Sequence, residues 1–449
     1  MSVEEPKIVR TIKKKVPWLS HLVKDPAVAF DLNIPDQVEI VTPRGSLCVL
    51  CKGARMLCRK SRCPLLTRIQ SYLKVKPLID QENLEGASPP GVFVGRLGYP
   101  YVFAGPLVPP VSGDTSMMDQ PEGWFGKTMD EIVDFRLRLV RGKRRVDVRR
   151  PEMGGRMMDD VKELALSDSS VDVELTFKGR PRRSFILNDE VQPIGPSALM
   201  ERMEVGNVKV DRRLEKAHYD TDLLASDAIV SLYDSGVLVS RIQKALSVGA
   251  FGLKKRRRLV PTRWSITAVD SMISQSLMDE VKTFPLMNEF RVYESNYLDN
   301  RFEILMMPEG WKYEGIEAWY PGTIWNPSLD EIFMFGDWEG FKGRTTYARM
   351  GGCYYAARLA VNEKLMEERR QATVIVLRES HPNYIMPVGV WQVRENVRNA
   401  LRHDPLKFNS LDEVLKHVSG KFGISLRVWI RNSTLLSNAL RQRKITEFV

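Results

Sequence analysis

Residues 345–377 read TTYARMGGCYYAARLAVNEKLMEERRQATVIVL, and this stretch decides the predicted fold class. Its first part, residues 345–370, predicts a long helix that Gly351 and Gly352 weaken locally, because glycine is a poor helix former. The compact apolar run at 373–377 is typical of a strand at the centre of a sheet, where both faces are buried. A helix followed by a buried strand indicates a fold that mixes the two kinds of element.

Short runs of β-branched and aromatic residues elsewhere in the chain predict further strands. A capping box from Ser410 to Glu413 starts a helix that Gly420 ends. The chain is therefore predicted to have a mixed α/β core of the α+β class. The predicted strands are VDVELTF at 171–177, NRFEILMMP at 300–308, DEIFMFGDW at 330–338 and ISLRVWI at 424–430.

The composition is that of an ordinary folded protein with an excess of basic residues. The 449 residues are 43% hydrophobic and 27% charged, with a net charge of +11. This balance excludes a disordered chain and favours an anionic partner over a cationic one. The chain has no run of about 18 uncharged apolar residues and no apolar core near its first residues. We therefore expect no membrane span and a cytoplasmic, nucleoid-associated protein.

Four of the five cysteines lie close together as Cys48, Cys51, Cys58 and Cys63, spaced C-x2-C-x6-C-x4-C. Four thiolates with paired spacing suit the tetrahedral geometry of a structural zinc ion, with no position left open for catalysis. The sequence therefore predicts an N-terminal four-cysteine zinc module. An iron–sulfur cluster, which also takes four thiolates, and a redox pair are the alternatives.

Basic residues concentrate at 13–15, 136–150 and 253–264. Such clusters bind nucleic acid through its phosphates, and a neighbouring aromatic ring can stack on an unpaired base. The alternative for any one cluster is a solvated basic surface, and charge alone does not separate DNA from RNA. The predicted nucleic-acid contacts are Lys254, Lys255, Arg256, Arg257, Arg258, Arg263 and Trp264.

The last nine residues, RQRKITEFV, fit the pattern Q-x-x-h-x-x-a-a, where h is aliphatic and a is usually aromatic. In this pattern Ile445 and Phe448 form a hydrophobic plug that docks on a sliding clamp, and Gln442 anchors its start. Val449 departs from the usual second aromatic residue. The alternative is a tail that packs as a strand or helix on its own domain.

Asp337 and Glu339 form the sequence D-W-E, and Lys342 follows three residues later. Paired carboxylates near a lysine can hold Mg²⁺ or Mn²⁺ and orient a water for phosphodiester hydrolysis. These two residues are therefore the candidates for a catalytic site, and the alternative is a loop with ordinary surface acids. The sequence contains no P-loop and no G-x-S-x-G motif, which argues against a nucleotide-driven motor and an α/β-hydrolase.

Over nearly its whole length the chain resembles the archaeal Nre family of DNA-repair proteins. The resemblance implies a role in the response to DNA damage and association with the replication sliding clamp, PCNA. It also implies that the four clustered cysteines are the zinc ligands and that Gln442, Ile445, Phe448 and Val449 contact the clamp. The blocks that carry it, besides the cysteines and the tail, are RRRLVPTRWSITAVD at 256–270, YLDNRFEIL at 297–305, GGCYYAARLAV at 351–361 and VGVWQVRENVR at 388–398.

Together these features predict a DNA-repair factor that binds DNA and is recruited to PCNA through its tail. A metal-dependent nuclease and an RNA-binding or RNA-modifying protein are the alternatives. The predicted domains are an extension at 1–40, the zinc module at 41–79, a basic α/β core at 80–320, a C-terminal α/β domain at 321–438 and the clamp-docking tail at 439–449.

Overall fold

The computed structural model describes residues 40–41, 51, 55–58, 60–182, 185–186, 192–323, 325–326, 328 and 330–441. These residues fall into two compact units. The N-terminal unit consists of the described residues within 1–228, 234–265 and 385–388, and the C-terminal unit of those within 229–233, 266–384 and 389–449.

Helices and strands alternate irregularly along the chain, as a mixed fold requires. The α-helices of the described residues are α1 Pro64–Ile79, α2 Met129–Arg138, α3 Arg156–Leu166, α4 Arg212–Tyr219, α5 Ala225–Asp234, α6 Val239–Ser247, α7 Thr262–Val281, α8 Gly352–Glu368, α9 Trp391–Arg402, α10 Leu411–Ser419, α11 Leu426–Asn432 and α12 Thr434–Arg441. The strands are β1 Ile40–Val41, β2 Asn83–Ser88, β3 Val92–Val94, β4 Tyr101–Val108, β5 Val140–Asp147, β6 Val171–Phe177, β7 Phe185–Ile186, β8 Ser197–Val205, β9 Phe290–Tyr297, β10 Asn300–Met307, β11 Lys312–Trp319, β12 Phe333–Glu339, β13 Thr373–Ser380 and β14 Leu406–Phe408.

The N-terminal unit contains a six-stranded sheet with the order β2-β6-β8-β5-β4-β3. Strands β5 and β8 pair in parallel, and the other neighbours are antiparallel. Val102 and Ala104 of β4 and Val146 of β5 are fully or almost fully buried. Helix α3 contacts β3, β4 and β8, and α6 contacts β3. These strands therefore bury one face in the core. The side chains on the opposite face do not contribute to that core.

The C-terminal unit contains a second six-stranded sheet, with the order β12-β11-β13-β10-β9-β14. Val374 and Val376 of the central strand β13 pack into a core with residues of α8 and α9. Ile375 and Leu377, which point to the other face, pack with residues of α10, α11 and α12. Burial on both faces explains the uninterrupted apolar run and confirms the prediction of a central strand.

Several sequence predictions are confirmed, one is wrong and one is correct only in part. The helix predicted over 345–370 is present as α8 only from Gly352 to Glu368, because Gly351, with a φ of 62°, has a backbone conformation that does not continue a helix. Ser410 accepts a hydrogen bond from the Glu413 backbone N–H at the start of α10. The segment 424–430, predicted as a strand, is mostly helix α11. Its aromatic and β-branched composition is typical of a strand, but burying Trp429 against the sheet favours the helix.

The mixed α and β fold is confirmed. The predicted domain boundary at 320/321 falls between β11 and β12, which pair in one sheet, and it stays a prediction. The longest stretch of the C-terminal unit begins at residue 266. Among the described helices, none is both long and apolar enough to span a membrane.

Candidate nucleic-acid interface

One face of the N-terminal sheet is open and carries large side chains. In the antiparallel register of β4 and β5, Phe103 lies opposite Arg145 and Leu107 lies opposite Arg141. Because side chains alternate along a strand, Tyr101 shares this face with Phe103. Tyr101 is 49% exposed and Phe103 is 38% exposed. Exposed aromatic rings that lie side by side on one surface can mark a binding site.

The rings of Phe93, Tyr101 and Phe103 each have a cation beside them. The pairs are Arg141 with Phe93 at 5.4 Å, Lys143 with Phe103 at 5.4 Å and Arg145 with Tyr101 at 5.8 Å, measured from the Arg Cζ or Lys Nζ to the ring centroid. We call these six residues the aromatic–basic face. Alternating rings and cations are the two elements with which proteins hold single-stranded nucleic acid, because rings stack on bases and cations bind phosphates.

Two cations of this face, Arg141 and Lys143, are partly desolvated. Burial and, to a lesser degree, the positive charge of Arg136 together lower the pKa of Arg141 to about 10. Burial also lowers the pKa of Lys143, and Arg141 adds to that effect. The buried Nε of Arg141 has no hydrogen-bond acceptor within the described part of the chain. A phosphate group bound beside these cations would relieve the repulsion between them.

The nucleic-acid contacts predicted at 254–264 lie in the same unit. Trp264 is 46% exposed, and its ring centroid is 5.3 Å from that of Tyr99, which precedes β4. The Thr262 hydroxyl at the start of α7 accepts a hydrogen bond of 2.8 Å from the Val94 backbone N–H in β3. The structure therefore places Trp264 near the edge of the sheet that carries the aromatic–basic face. The exposed cations of the segment are Lys254, Lys255, Arg256, Arg258 and Arg263.

Arg257 differs from its neighbours because its guanidinium is bound within the fold. Its Nη1 donates to the His218 carbonyl at 2.6 Å, and its Nη2 donates to the Asp220 carbonyl at 2.5 Å. Its Nε donates to the Gly252 carbonyl at 2.7 Å. Three carbonyl partners give this arginine a structural role, and they leave it few donors for a phosphate.

Three of the four predicted zinc ligands are described, and Cys48 lies outside the described residues. Cys51 is buried, Cys58 and Cys63 are half-buried, and none of the three forms a disulfide. Burial raises the pKa of the Cys63 thiol, and backbone N–H groups in the first turn of α1 oppose this shift. The negative charges of Cys58 and Cys51 raise it further. Backbone N–H donors at the start of a helix favour the thiolate form of Cys63, and a zinc ion at these cysteines stays a prediction.

Asp337 and Glu339, the candidate catalytic carboxylates, both lie on β12. Asp337 accepts a hydrogen bond of 2.8 Å from Arg344. Glu339 is buried and accepts hydrogen bonds from Arg358 at 2.7 Å and from the Tyr354 hydroxyl at 3.0 Å. Burial raises the pKa of Asp337, but the hydrogen bond from Arg344 and two from backbone N–H groups outweigh it, so the net shift is downward. A metal ion here would compete with two arginines, and a catalytic role for the pair stays a prediction.

Two predicted elements lie outside the described residues. These are the tail residues Gln442, Ile445, Phe448 and Val449, and the basic run at 13–15. Their roles stay predictions.

Sequence reasoning found the basic stretch at 136–150 but missed the rings beside it. The available signal was the alternation of Tyr101 and Phe103 with apolar residues, together with the alternation of cations in β5. Neither pattern shows which strand pairs with which, so the contacts between rings and cations appear only in the folded sheet.

Comparisons with known proteins match two consecutive family models to the chain. The family model described as Archaeal Nre, N-terminal matches residues 57–326, and that described as Archaeal Nre, C-terminal matches residues 339–448. No solved structure matches the chain significantly.

Three curated relatives are similar over most of their length. DNA repair protein NreB of Archaeoglobus fulgidus is 41% identical over 403 residues, which cover 90% of this chain and all of the relative. DNA repair protein NreA of the same organism is 37% identical, covering 83% of this chain and 93% of the relative. DNA repair protein NreA of Haloferax volcanii is 32% identical, covering 85% and 93%. The chain belongs to the archaeal Nre family.

Proposed function

We propose that this chain acts in DNA repair and that it binds single-stranded DNA on the aromatic–basic face. The repair role is supported by three relatives that are named DNA repair proteins. The ligand is supported by the three pairs of ring and cation along β3, β4 and β5. A strand with unpaired bases can stack on the rings while its phosphates meet the cations.

The exposed cations of residues 254–263 extend the site electrostatically. They need no fixed geometry, because a solvent-exposed lysine or arginine attracts phosphate through its charge and the release of counterions. Trp264, next to Tyr99, supplies a further ring beside the sheet. The proposed binding surface therefore combines the aromatic–basic face of the sheet with the exposed cations of residues 254–263.

Binding of the full chain to a labelled thymine oligonucleotide of about 20 nucleotides, followed by fluorescence anisotropy, tests this proposal. Loss of one stacked base costs about 1–3 kcal/mol, so Phe103→Ala should weaken binding about 5- to 160-fold. Replacing Arg141 and Lys143 together by alanine should lower the slope of log K against log salt by about 1.4, or about 0.7 per charge.

The matched control removes two exposed cations of α4, Arg212 and Lys216, which lie outside the proposed surface. This variant loses the same charge and should keep the wild-type salt slope. Wild-type affinity in the Phe103→Ala variant, or an equal loss of slope in the control, would reject the aromatic–basic face as the site.

We also propose that the tail recruits the chain to PCNA through Gln442, Ile445, Phe448 and Val449. The order of these residue types supports this, because an aliphatic and an aromatic residue three apart lie on one face of a single helical turn. A peptide of residues 440–449 should bind PCNA, and Phe448→Ala should lose most of the affinity because it removes the buried aromatic anchor. Equal binding by both peptides would refute the tail hypothesis.

A structural zinc ion held by Cys48, Cys51, Cys58 and Cys63 is the third part of the proposal. When bound, zinc supplies a rigid tetrahedral link within the short segment from Cys48 to Cys63. Metal analysis of the purified protein should give about one zinc per chain. Cys63→Ser should lower this content, whereas bound iron with a visible absorbance band would show a cluster in place of zinc.

A further inference from the structure

A second group of possible metal ligands lies in the C-terminal unit, far along the sequence from the cysteines. Glu294 of β9 and Glu303 of β10 are directly opposite each other in an antiparallel register. His417 of α10 reaches them, and its Nε2 lies 2.6 Å from Glu294 Oε1. One ligand atom from each of the three residues lies within 4.8 Å of the other two. Two carboxylates and an imidazole therefore converge on one point beside the sheet.

The burial of Glu303 is the feature that calls for a ligand. This residue is only 4% exposed, and its Oε2 is buried with no hydrogen-bond donor among the described residues. A buried carboxylate without a donor is costly, and a second carboxylate directly opposite adds repulsion. Other buried acids nearby do accept hydrogen bonds. Glu314, on the same face of the sheet, accepts hydrogen bonds from the Thr434 and Leu435 backbone N–H groups at 2.7 and 3.0 Å.

A third acid on this face is already satisfied. Glu379 of β13 accepts hydrogen bonds from the backbone N–H groups of Gly423 and Ile424, at 3.2 and 3.0 Å. It also lies 3.1 Å from the His381 Nε2. Glu379 therefore adds negative charge near the site without offering a free oxygen of its own.

We propose that Glu294, Glu303 and His417 bind one divalent transition-metal ion. Carboxylate oxygens with an imidazole nitrogen suit Mn²⁺, Fe²⁺ and Zn²⁺, whereas Ca²⁺ and Mg²⁺ prefer oxygen alone. Bonds of about 2.1 Å place neighbouring ligand atoms about 3.0–3.4 Å apart. Metal binding would therefore draw the more distant ligand atoms together and move the His417 Nε2 and Glu294 Oε1, now 2.6 Å apart, slightly away from each other. Three protein ligands leave the remaining coordination positions to water.

Lys421 competes with this metal ion. Its Nζ lies 2.9 Å from Glu294 Oε2, and its side chain is 40% exposed. The lysine balances one carboxylate when no metal is bound, and its exposure lets it move into solvent when a metal arrives. Removing its charge should therefore strengthen metal binding, an effect opposite to that of removing a ligand.

Titration of the full chain with Mn²⁺, with free Mn²⁺ followed by electron paramagnetic resonance, tests the proposal. Mn²⁺ is the probe because thiolate ligands favour softer metals, so the four cysteines contribute little to the signal. Glu303→Gln and His417→Ala should each weaken binding by more than about tenfold, which is the effect that losing even an outer partner of a ligand can have. Lys421→Met should tighten binding.

Lys416→Met is the matched control, because Lys416 lies on α10 and pairs with the exposed Asp412 at 2.8 Å. It should leave Mn²⁺ affinity unchanged. Thermal unfolding gives the second readout, since Mn²⁺ should raise the Tm of the wild type but not that of Glu303→Gln. Equal Mn²⁺ affinity in the wild type and in Glu303→Gln, or no Mn²⁺-dependent rise in Tm, would overturn the proposal and leave a buried carboxyl group that holds a proton instead.

Discussion

Arginine has different surroundings in the two sheets. In the N-terminal sheet, Arg145 and its neighbours stand beside exposed rings on an open face. In the C-terminal sheet, Arg378 is 3% exposed and its Nη1 lies 2.7 Å from Glu317 Oε1. Arg394 is equally buried, and its Nη1 donates to both oxygens of Asp270, at 2.9 and 3.1 Å.

This contrast shows that net charge alone does not locate a binding surface. The chain carries an excess of 11 positive charges, but the buried arginines of the C-terminal unit are neutralised by carboxylates. Those ion pairs hold the core together and are inaccessible to a polyanion. Cations that lack a carboxylate partner and reach solvent are the best placed to bind nucleic acid, and Lys143 and Arg145 of the aromatic–basic face have no such partner among the described residues.

The largest effect is expected when a buried pair of the C-terminal sheet is broken. Arg378→Met leaves Glu317 buried without its partner, which should cost about 3–5 kcal/mol in the free energy of unfolding. Urea denaturation measures this loss. Lys416→Met, which breaks an exposed pair, should change the stability little. A similar small change in both variants would mean that the buried pair does not stabilise the core.

A smaller effect should separate two neighbours within the basic segment. Arg257→Ala leaves three carbonyl groups without a donor, so we expect a loss of about 1–3 kcal/mol in the free energy of unfolding. Lys254→Ala, at an exposed position, should weaken oligonucleotide binding at low salt and leave stability unchanged. If the Arg257→Ala variant unfolds at the same urea concentration as the wild type, the structural role assigned to Arg257 is wrong.

The smallest effect concerns a partly exposed ion pair of the N-terminal unit. Hydrogen bonds from Arg213 lower the pKa of Asp211 to about 2, against burial that raises it. Because the unfolded value is about 3.9, this group stabilises the fold above about pH 4 and loses its contribution as the pH falls towards 2. Because solvent around Arg213 screens this ion pair, the loss in the free energy of unfolding should be about 1 kcal/mol. Asp211→Asn should flatten the acid limb of the stability curve, and an unchanged limb would contradict this assignment.

The parts of the fold set by local pattern could be predicted from the sequence. The run at 373–377 specifies a strand buried on both faces, and Ser410 specifies a helix start, because each signal lies within a few residues. The segment 424–430 could not be predicted in this way, since the burial of Trp429 against a distant sheet decides its conformation.

The candidate sites also differ in whether a local sequence pattern or long-range packing forms them. Cysteine spacing is local, so the four candidate zinc ligands can be proposed from the sequence alone, and their role stays a prediction. The pairing of Phe103 with Lys143, by contrast, depends on the register of two strands that 31 residues separate in the chain. The approach of His417 to Glu303 depends on the packing of a helix on a sheet, and no spacing in the sequence indicates it.

Photocrosslinking tests the central claim most directly. A single-stranded oligonucleotide that carries 5-iodouracil is bound to the full chain, irradiated and digested, and the modified peptides are identified by mass spectrometry. The account predicts adducts on Phe93, Tyr101 or Phe103, with Trp264 as a further position. Binding with adducts confined to the C-terminal unit would contradict it.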